Sequence, residues 1–303
     1  MDVLITGAAG FIGRNLARHL AAAGHQLTCV DDLSVPPTGP VPPRLIRRDV
    51  RALTAEDLEC AGTIVHLAAR KNVPDSFHDH TQLLHNIAVD YHLLHTFAAA
   101  RRPRRLLLAS SCEVYGARPE PCAEHLPPAP RSPYAVGKVT TELLTAIYRE
   151  LNPDREICSL RFHNIYGPDE GPDAVVPAFI DAAAAGRPIT IEGNGRQARD
   201  MTHIEDLTAM LHTILADPHP LPKALNLGSG TATAVNDIAD LIREAAGTQT
   251  AVVHVQGRPN EIPAFVADLT TYTERYGPVP TRPLADGIGA AFRDRTGTAL
   301  ARR

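Results

Sequence analysis

Short apolar runs alternate, along the first half of the chain, with longer stretches in which apolar residues return every three or four positions. The runs "DVLIT", "QLTCV", "TIVHLAA", "RRLLLAS" and "EICSLRF" are nearly continuous in apolar and β-branched residues. That is the pattern of strands covered on both faces. Between them, "FIGRNLARHLAAA", "HNIAVDYHLLHTFAAA" and "YAVGKVTTELLTAIYREL" carry helical periodicity. Strands alternating with helices over this length predict an α/β fold with a doubly wound parallel sheet. After Gly167 the rhythm loosens. A shorter helix at "AVVPAFIDAAAA", a strand at "PITIEG" and helices near 204–216, 235–245 and 283–293 predict a smaller α/β lobe.

Composition narrows the classes. The 303 residues are 44% hydrophobic with a formal net charge of −4, enough to bury a large core and without the basic excess that draws nucleic acid or anionic membrane. The five cysteines (Cys29, Cys60, Cys112, Cys122, Cys158) are scattered and form no C-x-x-C. They speak for a reducing, cytoplasmic setting rather than a disulfide framework. The opening "MDVLITGAAG" has no basic stretch followed by a signal-type apolar core, and no apolar run approaches the ~18 residues of a membrane span. The chain is expected to be soluble, with no membrane partner. Prolines cluster in "SVPPTGPVPPR", "RPEPCAEHLPPAPRSP" and "DPHPLP", which read as loops. His85, His92 and His95 share one helix without a clustered acid or thiolate, so a solvated face is expected rather than a metal site. "RRPRR" at 101–105 reads as a solvated loop, not a nucleic-acid patch.

Chemistry enters at the first turn. "LITGAAGFIG" places Gly7, Gly10 and Gly13 between a strand and an amphipathic helix, where missing side chains let the backbone approach a pyrophosphate at the positive helix N-terminus. A Rossmann-type dinucleotide site is expected there, with Phe11 and Ile12 opening the helix. The second strand ends in "CVDDLS". Asp31 is placed to accept from both ribose hydroxyls and to repel a 2′-phosphate, which favours NAD over NADP; Asp32 follows it. Asp49 and Val50, in "RRDVR", stand at the end of the third strand and suit the adenine. Leu67, Ala68 and Ala69 continue the fourth strand. Further on, "SPYAVGK" puts Tyr134 and Lys138 one helical turn apart, where a neighbouring ammonium stabilises a phenolate and lowers its pKa toward that of a general base. Ser111 ends the fifth strand.

These motifs, with "LRFHNIYGP", "EGNGRQARDMTHIEDL", "LNLGSG" and "RPNEI", resemble the nucleotide-sugar epimerase/dehydratase family of extended short-chain dehydrogenases/reductases. The likeness spans nearly the whole chain. It implies NAD as cofactor and a UDP-sugar or other nucleotide-sugar as substrate, with Tyr134 as base for the sugar hydroxyl. Lys138 then binds the nicotinamide ribose and tunes Tyr134, while Ser111 bonds the reacting oxygen. Lys71, Asn164, Val176, Arg199 and Arg258 are implied on the substrate side, the arginine forks matching diphosphate oxygens. The resemblance further implies a seven-stranded NAD domain of residues 1–166 with 201–227 and a nucleotide-sugar lobe of 167–200 with 228–303. It also implies a homodimer through the helices of 82–100 and 134–150.

The segment "SCEVYG" narrows the reaction. In relatives that abstract the sugar C5 proton it carries a hydroxyl, an acid and a glutamate base, slots filled here by Ser111, Cys112 and Glu113. The 4,6-dehydratases usually have Asp where this chain has Cys112, and 4-epimerases commonly lack the glutamate. "DDLSVPP", "RKNVPDSF", "CEVYG", "GPDAVVP" and "RPNEI" resemble the branch of the family that performs 5,6-dehydration of UDP-N-acetylglucosamine in antibiotic biosynthesis. The resemblance therefore implies an NAD-dependent dehydratase acting through transient C4 oxidation and C5 deprotonation, with an NAD-dependent UDP-sugar 4-epimerase as the alternative. Cysteine is also among the most buried residue types, so packing at the strand end is an equally available role for Cys112.

Overall fold

A computed structural model describes residues 1–118, 121–257 and 261–297. The chain opens with β1 (Asp2–Thr6), α1 (Phe11–Ala22), β2 (Gln26–Asp31), β3 (Ile46–Arg47), α2 (Ala55–Leu58) and β4 (Thr63–His66). It continues through α3 (His80–Ala99), β5 (Arg105–Ser111), α4 (Pro133–Leu151), β6 (Glu156–Phe162) and β7 (Asn164–Tyr166). There follow α5 (Val175–Ala184), β8 (Ile189–Glu192), β9 (Ala198–His203), α6 (Ile204–Ala216) and β10 (Ala224–Leu227). The last elements are β11 (Ala232–Ala234), α7 (Val235–Ala246), β12 (Val252–Val255), β13 (Ala264–Phe265), α8 (Thr270–Tyr276) and α9 (Leu284–Thr296).

The main sheet is parallel throughout and ordered β10-β6-β5-β4-β1-β2-β3. Alternation within single strands explains why the apolar runs are continuous. Val3 and Ile5 of β1 join the core under α1 and α6, whereas Leu4 between them joins the core under α3. β5 repeats this, with Leu107 on the first side and Leu106 and Leu108 on the second. Helix α1 turns Gly13, Leu16, Ala17 and Leu20 inward, a spacing of three and four that its sequence dictates. The strand order reverses between β1 and β4, and the crevice above that switch is where doubly wound sheets bind ligands.

The second half builds a small sheet, β11-β9-β13 with β7 on β9, and the pair β12-β8. β7 therefore pairs with residues 201–203 just where the chain leaves the large sheet, so the small sheet begins directly above the ends of β6 and β10. A separate core of Val176, Phe179, Ile180, Ile189, Ile191 and Ile238 holds α5, α7 and α9 against it. Asp200 secures the arrangement. Its buried carboxylate accepts from the backbone N–H groups of Ser229, Gly230 and Ala267. Among the described residues no helix is long and apolar enough to cross a membrane.

The turn from β1 to α1 is closed by contact. A Cβ on Gly13 would lie 2.1 Å from the Gly7 carbonyl oxygen and 2.8 Å from Ala8 Cα, both backbone atoms. Gly13→Ala must push the turn apart, and we expect a loss of about 1–3 kcal/mol of stability in chemical denaturation, the scale of overpacking. NAD titration of the same variant should show weakened binding.

Candidate active site

The glycine turn is shaped for close approach. Gly7 has φ +69°, and a side chain there would strike Ala68 N at 2.5 Å, so β1 and the residues after β4 meet backbone to backbone. Helix α1 begins at Gly10 without a side-chain cap, leaving its first N–H groups to a ligand. Phe11, Ile12 and Leu67 pack partly against the core around it, and Ala68 and Ala69 are half-buried beside them. Asp31 ends β2, with Oδ2 accepting from Ala9 N at 3.0 Å and Oδ1 from Leu33 N at 2.8 Å. Asp32 caps Ser34 N at 2.8 Å. This donor set fits a dinucleotide: amide groups for a pyrophosphate and a fixed carboxylate for ribose hydroxyls. Asp49 is more self-occupied. Its carboxylate grips the Arg51 guanidinium, which holds it below the usual range, while the adjacent Val50 is buried.

The tyrosine–lysine pair stands on a well-made helix start. Ser132 caps α4 by accepting from Ala135 N at 3.1 Å and Pro133 occupies the first turn. Tyr134 and Lys138, one turn apart, are buried, with Lys138 Nζ donating to the Ala109 carbonyl at 2.8 Å. Ser111 is hydrogen-bonded to the Tyr134 phenol. It also caps the single 3-10 turn Cys112–Tyr115 by accepting from Glu113 N at 3.2 Å. Ser111, Cys112, Glu113, Tyr134 and Lys138 are thus one constellation at the end of β5.

The electrostatics correct one expectation. Lys138 does not bring the Tyr134 phenol down in the protein alone; burial drives it well above its ordinary value, opposed by the Ser111 hydrogen bond and reinforced by nearby negative groups. The reason is geometric: the ammonium is turned toward the Ala109 carbonyl and a buried carboxylate, Asp90. Cys112 is 5% exposed, and burial followed by the Glu113 charge pushes its thiol well up. It keeps its proton across the neutral range. Its neighbours include Val114, Tyr115, Cys122, Ile262 and Phe265, a small core that joins the 3-10 turn to β13.

The expected substrate residues divide. Asn164 begins β7, and its buried Oδ1 has no hydrogen-bond partner among the described residues, an acceptor held ready. Lys71 is exposed on the loop after β4, which Gln82 and Asn86 of α3 fix through the backbone of Arg70. Arg199 is engaged within the protein: it pairs with Glu261, donates to Ile262 O at 3.0 Å and lies over the Phe265 ring. Val176 is buried in the lobe core. Arg258 lies outside the described residues.

Two acids escaped the sequence reading. Asp90 lies beneath Lys138, and its signal was a carboxylate on the buried stripe of α3, between Val89 and Leu93. Glu170, in the loop after β7, is 7% exposed, and burial pushes its carboxyl up to about 8 against the opposing charge of Lys71.

The family model described as the NAD dependent epimerase/dehydratase family matches residues 3–228. The chain belongs to that family. It is an enzyme fold with NAD as cofactor, and solved relatives carry NAD together with UDP-sugars. The chain is 30% identical to the uncharacterized UDP-glucose epimerase YtcB of Bacillus subtilis, over 95% of this chain and 96% of that one. The solved structure of TunA, an NAD-dependent NDP-hexosamine 5,6-dehydratase involved in tunicamycin biosynthesis, superposes with a TM-score of 0.92 at 35% identity, covering 99% of both chains. The UDP-glucuronic acid 4-epimerase of Bacillus cereus, solved with UDP-glucuronic acid and NAD, gives a TM-score of 0.91 at 27% identity over 98% of this chain and 99% of that one.

Glu170 makes stability depend on pH. With its carboxyl raised to about 8 from an ordinary 4.5, the folded protein keeps a proton that the unfolded chain has released between those values. Stability is complete below pH 4.5 and falls as pH rises through the window. Glu170→Gln should change urea stability at pH 5 by less than about 1 kcal/mol and raise it at pH 8 by about 4 kcal/mol. An equal effect at both pH values would show that the carboxyl is not held neutral.

Proposed function

We propose that this protein is an NAD-dependent nucleotide-sugar dehydratase that removes water across C5–C6 of a UDP-hexose such as UDP-N-acetylglucosamine. The observation that carries this reading is the buried Cys112 thiol beside Glu113, on the turn that starts at the Ser111 bonded to Tyr134. The likeness to TunA supports it independently. Bound NAD supplies reversible oxidation at sugar C4. Tyr134 takes the proton of the C4 hydroxyl, Ser111 shares that hydrogen bond, and Lys138 holds positive charge below. A ketone at C4 acidifies the adjacent C5–H. Glu113 removes that proton, and Cys112 gives its own to the 6-hydroxyl, which departs as water and leaves a 5,6-alkene beside the ketone. The C4 oxidation then runs in reverse, Tyr134 returning its proton, so that the C4 hydroxyl is restored and the net loss is one water. Gly7, Gly10 and Gly13 with Asp31 hold the cofactor in this reading, while Asn164 and Lys71 serve the nucleotide-sugar and Arg199 joins them only by leaving Glu261.

One observation favours a second reading. Cys112 packs against Val114, Cys122 and Phe265, and a purely structural cysteine would suit an NAD-dependent UDP-sugar 4-epimerase, the activity in the names of several relatives. We further propose that the protein is a cytoplasmic homodimer. Leu84 and Tyr91 on α3 and Leu143 and Ile147 on α4 are each at least half exposed, and these two helices pack side by side to form one apolar face that a second copy would cover.

Substrate deuterated at C5 separates the two readings. A 5,6-dehydratase loses the label to water and yields a product lighter by one water; an epimerase keeps both label and mass and inverts C4. Glu113→Gln should abolish label loss yet still allow transient NADH absorbance, and Cys112→Ala should allow exchange while slowing loss of the hydroxyl. Tyr134→Phe should cut turnover by roughly 10²-fold or more under either reading. Near-normal turnover in that folded variant would falsify the assignment of the pair.

For the dimer, Leu143→Glu places a charge at the centre of the exposed face. Sedimentation should then show a monomer where the unaltered protein sediments as a dimer.

A further inference from the structure

The carboxylate under Lys138 is unusually enclosed. Asp90 and His66 are each 1% exposed and Lys138 is 3% exposed. Asp90 Oδ1 accepts from His66 Nε2 at 2.9 Å, and Oδ2 accepts from Thr141 Oγ1 at 2.6 Å. Behind the imidazole, Thr6 Oγ1 lies 2.6 Å from His66 Nδ1. The chain of contacts therefore runs from β1 through β4 and α3 to α4. A carboxylate this deep requires a compensating charge, and Lys138 Nζ stands 3.9 Å from Oδ2.

That distance is close enough for strong attraction in a dry site and too long for a hydrogen bond. It has a chemical consequence. An ammonium has three donors, and Asp90 balances its charge without consuming one. Ala109 O takes a single donor, leaving the others for the crevice. His66 and Thr141 occupy Asp90 on its other sides, so the carboxylate cannot swing toward the lysine and capture it.

We propose that Asp90, clamped by His66 and Thr141, is a positioning residue: it supplies the buried countercharge that seats the Lys138 ammonium, and its negative charge helps set the pH range in which Tyr134 ionises. This rests on Tyr134 and Lys138 forming the redox pair. The groups facing Tyr134 are Ser111 from β5, Cys112 and Glu113 from the 3-10 turn, and Asp90 from α3. Those facing Asp90 are His66 from β4 and Lys138 and Thr141 from α4. Burial dominates the upward push on the phenol, and the negative charges of Glu113 and Asp90 add to it. Removing the charge at 90 must lower it.

Asp90→Asn is nearly isosteric and tests this without any sugar substrate. In the NAD-loaded protein, the phenolate absorbance of Tyr134 is read as the difference between titrations with and without Tyr134→Phe. The midpoint should fall by about one pH unit in Asp90→Asn, a tenfold change in ionisation constant. An unmoved or raised midpoint overturns the proposal. Asp90→Asn also strands a buried ammonium, so the variant can fail to fold. In that event Asp90→Asn with Lys138→Met, which removes both charges, should restore a cooperative thermal transition in cofactor-free protein. Losses that merely add in the double variant overturn the proposal equally. Absence of dehydration with these couplings intact would instead reject the proposed reaction and leave the role of Asp90 standing.

Discussion

A parallel strand covered on both faces has no side chain left for chemistry except at its carboxyl end. In β1 and β5 successive residues go to opposite cores, and each strand becomes available only as the sheet stops covering it. The glycine turn follows β1, Asp31 ends β2, the Leu67–Ala69 backbone follows β4 and Ser111 ends β5. Parallel register brings these ends level, with Thr6 opposite His66 and Ser111 opposite Phe162. The switch in strand order then opens one crevice above all of them. Helix α4 supplies its pair from the side, and its capped first turn fixes the height of Tyr134 against Ser111.

Dryness is the second consequence of the same packing. Tyr134, Lys138, Asp90 and Cys112 are all enclosed, so each ionisation is governed by the few charges in reach rather than by water. Asp90 stays ionised with the Lys138 ammonium 3.9 Å away, while burial pushes the Cys112 thiol and, in the protein alone, the Tyr134 phenol toward their neutral forms. The charges of one pair thus set the background against which the neutral acids operate. A surface arrangement of the same residues would have neither property, because solvent would screen the pair and level the acids.

The sequence made the large sheet and its helices legible because their signals are local and repeated: continuous apolar strands, periodic helices, glycine and proline breaks. The glycine turn, Asp31 and the tyrosine–lysine pair were legible for the same reason. The small strands were not. β7, β11 and β13 have two or three residues each, and their pairing with β9 joins segments far apart in sequence, which no local period encodes. Asp90 was hidden as well, since its meaning depends on Lys138, 48 residues away in sequence and adjacent only in the fold. The engagement of Arg199 by Glu261 likewise spans separate elements, so a guanidinium read as open to phosphate is held internally in this structure. What the sequence left out was contact, not chemistry.

Under the proposed function, Cys112 would combine packing and catalysis at one atom. Its side chain completes a small apolar core with Val114, Tyr115, Cys122 and Phe265, next to the Glu113 carboxylate. A carboxylic acid in that place would meet apolar walls and a like charge together, and would need partners for two oxygens. A thiol needs none. It behaves as a small hydrophobe toward the core while still holding an exchangeable proton, and the same burial that packs it prevents its ionisation. Enclosure therefore does not argue against Cys112 as the acid. It is the condition under which a cysteine keeps a proton to give, and Glu113, the base in the proposed reaction, stands one residue away on the same turn.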